Sequence, residues 1–217
     1  MEQAVLAKND RFAGMNRAFF RARGILALNL TSSPGAGKTT LLERVVRDLR
    51  DDVALSVVEG DQETENDARR IRAAGCRAIQ INTGAGCHLD AERVGAAVRT
   101  LEPQRASLLF IENVGNLVCP AMFDLGERSK VVVLSVTEGE DKPIKYPHMF
   151  RAADVMVLTK TDLLPHLEFD SELCVAHARR VNPKLRVFPV SVRSGDGLAP
   201  FYGWLHEQLA HASEEVV

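Results

Sequence analysis

From residue 24 onward, apolar runs alternate with stretches whose apolar positions recur every three or four residues. The runs at 24–31, 53–59, 77–82, 107–112, 129–136, 154–159 and 186–191 predict strands. Helical patterns fall between most of them, near 39–50, 64–74, 89–101, 142–152, 170–181 and 198–211. This alternation predicts an α/β fold, a mostly parallel sheet with helices on both faces. Leu108–Ile111 and Val131–Leu134 show no polar alternation, which predicts central strands buried on both sides. Ligands of such sheets bind outside the carboxyl ends of the strands. Each motif below begins where a run stops, so all of them are expected on one rim.

Residues 1–23 stand apart. Phe12, Met15 and Phe19 recur at helical spacing among Asp10, Arg11, Arg17 and Arg21. This predicts an amphipathic helix, packed on the domain in preference to a partner. The expected division is a helical extension over 1–23, a nucleotide-binding domain over 24–213 and a short tail over 214–217.

Composition changes the picture mainly by exclusion. With 27 Lys and Arg against 29 Asp and Glu, the formal net charge of −2 argues against a nucleic-acid binder, which would be basic. No apolar run approaches the ~20 residues of a membrane span. The first eight residues lack the basic start and apolar core of a signal peptide. The expected location is the cytoplasm, and there the four cysteines read as thiols or metal ligands before disulfides.

The segment Thr31–Thr40 follows the first run and opens a helical pattern. Pro34, Gly35, Ala36, Gly37, Lys38, Thr39 and Thr40 complete most of the motif G-x-x-x-x-G-K-S/T, with Ser32 in place of its first glycine. Successive N–H groups in such a turn cradle phosphate, and the helix start adds positive potential. Lys38 is placed to reach the β- and γ-phosphates and Thr39 to hold Mg²⁺. A positive φ at Ser32 would be costlier than at glycine.

Later motifs follow in the order a guanine nucleotide site requires. Glu112 and Gly115 match D/E-x-x-G: Glu112 toward Mg²⁺, and the Gly115 N–H toward the γ-phosphate, where only glycine lets the chain come close. Asp61, which ends the second run, is the candidate for orienting the attacking water and a further Mg²⁺ ligand; its alternative role is an N-cap of the following helix. Asn116 stands where signalling GTPases carry Gln, so slow hydrolysis is expected. Thr159, Lys160 and Asp162 resemble the N/T-K-x-D motif. One carboxylate oxygen pair matches the two N–H donors of guanine, and the Lys160 stem can cover the base. The Thr159 hydroxyl cannot reproduce both contacts of the usual Asn amide. Ser191 and Val192 lie where such proteins touch the guanine carbonyl, or else form a plain glycine turn with Asp196 near a helix N-cap.

Cys87 and His88 sit in a glycine-rich loop, and Cys119 follows Gly115 by four residues. Two thiolates and an imidazole suit Zn²⁺ or Ni²⁺. Release of Gly115 on GTP hydrolysis would shift the segment carrying Cys119, which couples nucleotide state to metal binding. Cys76 and Cys174 lie in helical contexts and read as structural.

The segments Asn29–Thr40, Glu59–Asp61, Thr83–Asp90, Glu112–Glu127, Glu138–Pro147 and Thr159–Leu163 resemble the hydrogenase nickel-incorporation GTPases of the HypB type, in the SIMIBI class. The similarity runs from Asn9 to Leu205, and the blocks Glu112–Ala121 and Glu140–Pro147 carry most of its specificity. It implies a three-layer P-loop NTPase fold, hydrolysis of GTP to GDP, nucleotide-promoted homodimerisation and nickel delivery to nickel–iron hydrogenase. By resemblance, Cys87, His88 and Cys119 form a zinc or nickel site. A HypA-type nickel chaperone is the implied partner, and the hydrogenase large subunit is reached indirectly. Residues 1–23 hold no Cys or His, so they lack the nickel motif or histidine tract of some members. The alternatives are a urease-type nickel GTPase, whose C-P-H motif differs from Cys119-Pro120-Ala121, a metal-binding module with structural nucleotide, and a small-molecule kinase.

Overall fold

The computed structural model describes residues 2–61, 66–84 and 86–216. Seven strands form where the apolar runs lie: β1 Leu26–Ser32, β2 Leu55–Asp61, β3 Arg77–Asn82, β4 Leu108–Gly115, β5 Ser129–Ser135, β6 Val155–Thr159 and β7 Arg186–Pro189. They make one sheet in the order β3-β2-β4-β1-β5-β6-β7, with every neighbouring pair parallel. β1 is central, and β4 and β5 flank it, as their unbroken apolar runs require.

The helices are α1 Glu2–Arg23, α2 Lys38–Leu49, α3 Asn66–Ala73, α4 Ala91–Leu101, α5 Lys142–Lys145, α6 Pro147–Ala152, α7 Ser171–Val181 and α8 Leu198–Glu214. Alternate strand residues serve opposite faces. Leu28, Phe110 and Val133 pack with α2, α3 and α8. On the other face, Ala27, Leu109 and Ile111 meet α1 and α4, while Val132, Leu134 and Met156 meet α6 and α7. The result is the three-layer P-loop NTPase fold.

Three local expectations are corrected. The helix predicted over 142–152 breaks at Tyr146 (φ −120°, ψ 53°), because Pro147 lacks an N–H and crowds the residue before it. α1 does not bury Phe12, Met15 and Phe19 as one face. Asn9, Ala13, Asn16 and Phe20 are its buried residues, and Met15 is 58% exposed. Polar docking, described below, turns the helix. At the other end, α8 continues to Glu214, and Glu215 pairs with Arg128 at 2.7 and 2.9 Å, so the segment set apart as a tail starts inside a helix. Among the described residues no helix is long and apolar enough to cross a membrane.

Candidate functional site

The carboxyl ends of β1, β2 and β4 open into a cleft of about 660 Å³. Its floor is the loop after β1. Gly35 (φ +77°) and Gly37 (φ +92°) hold left-handed conformations that cost other residues energy, and Gly37 caps α2. Ser32, the last residue of β1, keeps strand geometry, so the strain expected of a serine there does not arise. Its hydroxyl accepts a bond from Lys38 Nζ at 3.1 Å. Gly115 lies against this loop, and a Cβ there would sit 3.2 Å from the Pro34 ring and nitrogen. A side chain at this position would require the loop to give by a few tenths of an ångström.

Acidic groups line the opposite wall. Thr39 Oγ1 donates to Glu112 Oε1 at 2.7 Å and lies 3.0 Å from Asp67 Oδ2. Lys38 Nζ is 3.9 Å from Glu112 Oε1. Burial raises the Glu112 carboxyl above its ordinary pKa. Glu59, its register neighbour on β2, is pushed up to about 8 by burial and then by the Glu112 charge. Among the described residues, Glu59 Oε2 and Glu112 Oε2 have no hydrogen-bond partner. Two buried carboxylate oxygens without donors are costly. A hard divalent cation with its waters would satisfy Glu112 Oε2, and Thr39, Glu112 and Asp61, which line the same cleft, offer the oxygen donors that Mg²⁺ takes. Asp61 lines the cleft at the end of β2, while its alternative role as a helix cap involves residues 62–65, outside the described residues. Two members of this wall were not singled out from the sequence. Arg70 donates to Asp67 (3.0 Å) and Glu43 (2.8 Å) and lines the cleft with Asp67. The available signal was their i, i+3 spacing at a helix start.

Around Lys160, which lines the cleft, the side chains brace one another, while Asp162, Ser191 and Val192 lie outside the cleft lining. Lys160 (φ +60°) donates from Nζ to Gly35 O at 2.8 Å and lines the cleft. Thr159, read as a base contact, is buried, and its hydroxyl donates to Ala36 O at 2.7 Å, so it props the phosphate loop instead. Asp162 Oδ1 accepts from Ser191 Oγ at 2.7 Å. Val192 O accepts from Arg44 at 2.9 Å. Gly197 holds the N-cap position of α8, with Asp196 beside it as the glycine-turn reading expects. Lys142 Nζ lies 3.4 Å from Ser33 Oγ in the phosphate loop.

Beside this cleft, Cys87 Sγ is 2.9 Å from Cys119 Sγ and 3.5 Å from His88 Nδ1. The three ligand atoms lie within 4.8 Å of one another, the one such cluster of three or more among the described residues. Ligand distances of roughly 2.0–2.3 Å let one ion reach all three. Burial holds the His88 imidazole below its usual pKa, favouring the neutral, ligating form. Cys76 and Cys174 are buried, and burial pushes both thiols up to about 12. They are structural.

The cluster is joined to the cleft. Cys87 lines both. Asn116, the residue after Gly115, donates from Nδ2 to Cys87 O at 3.2 Å and accepts from Val118 N at 2.8 Å. Behind Cys119, buried Lys130 donates to Pro120 O (2.8 Å) and Phe123 O (3.2 Å) and lies 3.7 Å from Glu127 Oε1. Asn29 donates to the same Glu127 oxygen at 3.0 Å. The sequence hint of this support was a lysine within an apolar run.

Comparison with known proteins agrees with this geometry. Residues 26–189 match the CobW/HypB/UreG nucleotide-binding domain. A hydrogenase maturation factor HypB from Rhizobium leguminosarum bv. viciae is 61% identical over 210 residues, covering 97% of this chain and 70% of that protein. The crystal structure of HypB from Archaeoglobus fulgidus has a TM-score of 0.87 at 37% identity, covering 94% of this chain and 99% of that one. HypB from Helicobacter pylori, solved in complex with nickel, has a TM-score of 0.88 at 38% identity, covering 94% and 96%. On its fold, its phosphate loop and these similarities, the chain belongs to the CobW/HypB/UreG family of P-loop NTPases, among the HypB hydrogenase maturation factors.

Proposed function

We propose that this chain is a slow GTPase that binds nickel or zinc and assists nickel insertion during maturation of nickel–iron hydrogenase. The observation that carries the reading is the double membership of Cys87, which lines the nucleotide cleft and belongs to the thiol–imidazole cluster. The nickel bound by the Helicobacter relative supports nickel as cargo.

In this reading the backbone of residues 34–40 cradles the phosphates and Lys38 neutralises their charge. Thr39, Glu112 and Asp61 would hold Mg²⁺, which would supply further charge neutralisation. Asp61 orients a water for attack on the γ-phosphorus; the bond to the β-bridging oxygen breaks, leaving GDP and phosphate. Asp162, steadied by Ser191, pairs with guanine, and the Lys160 stem covers the base. The Gly115 N–H senses the terminal phosphate. Its release moves Asn116 and with it the Cys87 and Cys119 loops. By linkage, metal binding then alters nucleotide affinity by the same factor.

Val118 and Met122, 56% and 50% exposed beside Cys119, offer an apolar surface suited to a nucleotide-promoted homodimer. A HypA-type chaperone would supply the metal, and the hydrogenase large subunit would receive it indirectly.

The test is nickel titration with X-ray absorption on wild type and Cys119→Ala, each with GDP and with a GTP analogue. Loss of nickel–sulfur scattering in the variant and different dissociation constants in the two nucleotide forms are expected. Phosphate release should vanish in Lys38→Ala. Equal metal dissociation constants in both wild-type forms would overturn the coupling.

A further inference from the structure

We infer that α1 is a positioning element for the metal site, with Asn9 and Asn16 clipping the loop after His88 to the loop after Cys119. The inference rests on the reading of Cys87, His88 and Cys119 as a metal site.

Asn9 and Asn16 lie two helical turns apart on one face and are buried. Asn9 Oδ1 accepts from Ala91 N at 2.9 Å, and its Nδ2 donates to Asp124 O at 2.8 Å. Asn16 Nδ2 donates to Ala91 O at 2.8 Å and to Leu125 O at 3.0 Å. Each amide therefore ties the end of the Cys87–His88 loop, where α4 begins, to the loop that follows Cys119. Ala91 stands three residues after His88, and Asp124 and Leu125 stand five and six after Cys119.

Asparagine is a poor choice for a helix that only packs. It favours non-helical backbone and must be satisfied when buried. Here its cost is offset by bonds to four backbone groups, two carbonyls of the loop after Cys119 and two groups of Ala91, including the first N–H of α4, which has no intrahelical partner. The contact is close. A Cβ at Gly95 would lie 2.5 Å from Asn16 Oδ1, and one at Gly126 would lie 2.6 Å from Ala13 O.

The clip reaches the metal ligand through an aromatic contact. Phe123, adjacent to Asp124, packs against the His88 ring with centroids 3.9 Å apart and planes tilted by 32°. Asn9 and Phe12 of α1 line a cavity of about 190 Å³ together with His88 and Phe123. Fixing Asp124 O thus fixes the ring that orients the imidazole. The arrangement is the outer support that ligating histidines need to hold orientation.

The test measures nickel and GDP affinity of the full chain in Asn9→Ala, Asn16→Ala and the double variant, with the thiolate-to-nickel charge-transfer band as a second readout. Phe20→Leu, which loosens the apolar packing of α1 against the sheet and leaves both asparagine amides in place, is the control. The double variant should bind nickel about tenfold more weakly with an altered band, the lower end of what loss of outer support to a metal ligand costs. GDP affinity should stay within about twofold on the same scale, and Phe20→Leu should leave nickel binding unchanged. The single variants carry the same prediction at smaller size and decide the matter should the double variant not fold. Wild-type nickel affinity and band in the Asn variants, alongside loss of nickel in Cys119→Ala, would overturn the clip and leave the metal site standing. Equal weakening by Phe20→Leu would also overturn it. Nickel retained by Cys119→Ala would remove the metal reading itself.

Discussion

Asn116 joins Gly115, the proposed phosphate sensor, to the Cys87 loop by one peptide bond and one hydrogen bond, so Asn116→Ala should uncouple nucleotide from metal. The substitution removes two bonds, Nδ2 to Cys87 O at 3.2 Å and Val118 N to Oδ1 at 2.8 Å. Each contributes about 0.5–1.5 kcal/mol net, so the pair carries at most about 3 kcal/mol. The residue is only half-buried and water replaces part of each bond, which leaves a link of about 1.4 kcal/mol, or tenfold in an equilibrium constant. The quantity to measure is the ratio of nickel dissociation constants in the GDP and GTP-analogue forms, by competition with a chelating dye. In Asn116→Ala that ratio should move toward one by up to about tenfold, while GDP affinity and melting temperature change little. A variant that keeps the wild-type ratio refutes the route through Asn116.

Lys130→Met should destabilise the protein by about 3–5 kcal/mol in urea unfolding, because it leaves Glu127 buried without its cation; adding Glu127→Gln should recover part of the loss. Folding raises the Glu59 carboxyl from 4.5 to about 8, so its contribution to stability is complete below 4.5 and lost as pH rises through about 8. The nucleotide- and Mg²⁺-free protein should therefore lose stability across that window, and Glu59→Gln should flatten the profile. Near pH 7, Mg²⁺·GDP binding should release protons, measured by calorimetry in two buffers of different ionisation enthalpy. Ser191→Ala frees the Asp162 carboxylate and should weaken binding of a fluorescent GDP analogue roughly tenfold, in line with about 1.5 kcal/mol for a bond to a charged group.

The strands and most helices were legible because their signals are local. An apolar run such as Val131–Leu134 can only be a buried strand once helical patterns flank it, and burial on both faces put β4 and β5 beside β1. The phosphate loop was legible because its chemistry demands particular residue types in consecutive order, and Cys87, His88 and Cys119 because thiols and imidazole in loops have few other uses. Tertiary structure alone decided which polar groups meet. Asn9 bonds to a carbonyl 115 residues away, and periodicity, which weighs apolar positions, passed over it in favour of the exposed Met15. The Thr159 hydroxyl could face a base or Ala36 O, and only the packing of β6 against the phosphate loop chooses. Lys130 and Glu127 find partners in a loop whose path no local pattern encodes. A hydrophobic pattern specifies which side of an element is buried, since burial depends on summed area. A hydrogen bond depends on the position of single atoms, and those are set only when distant segments pack together.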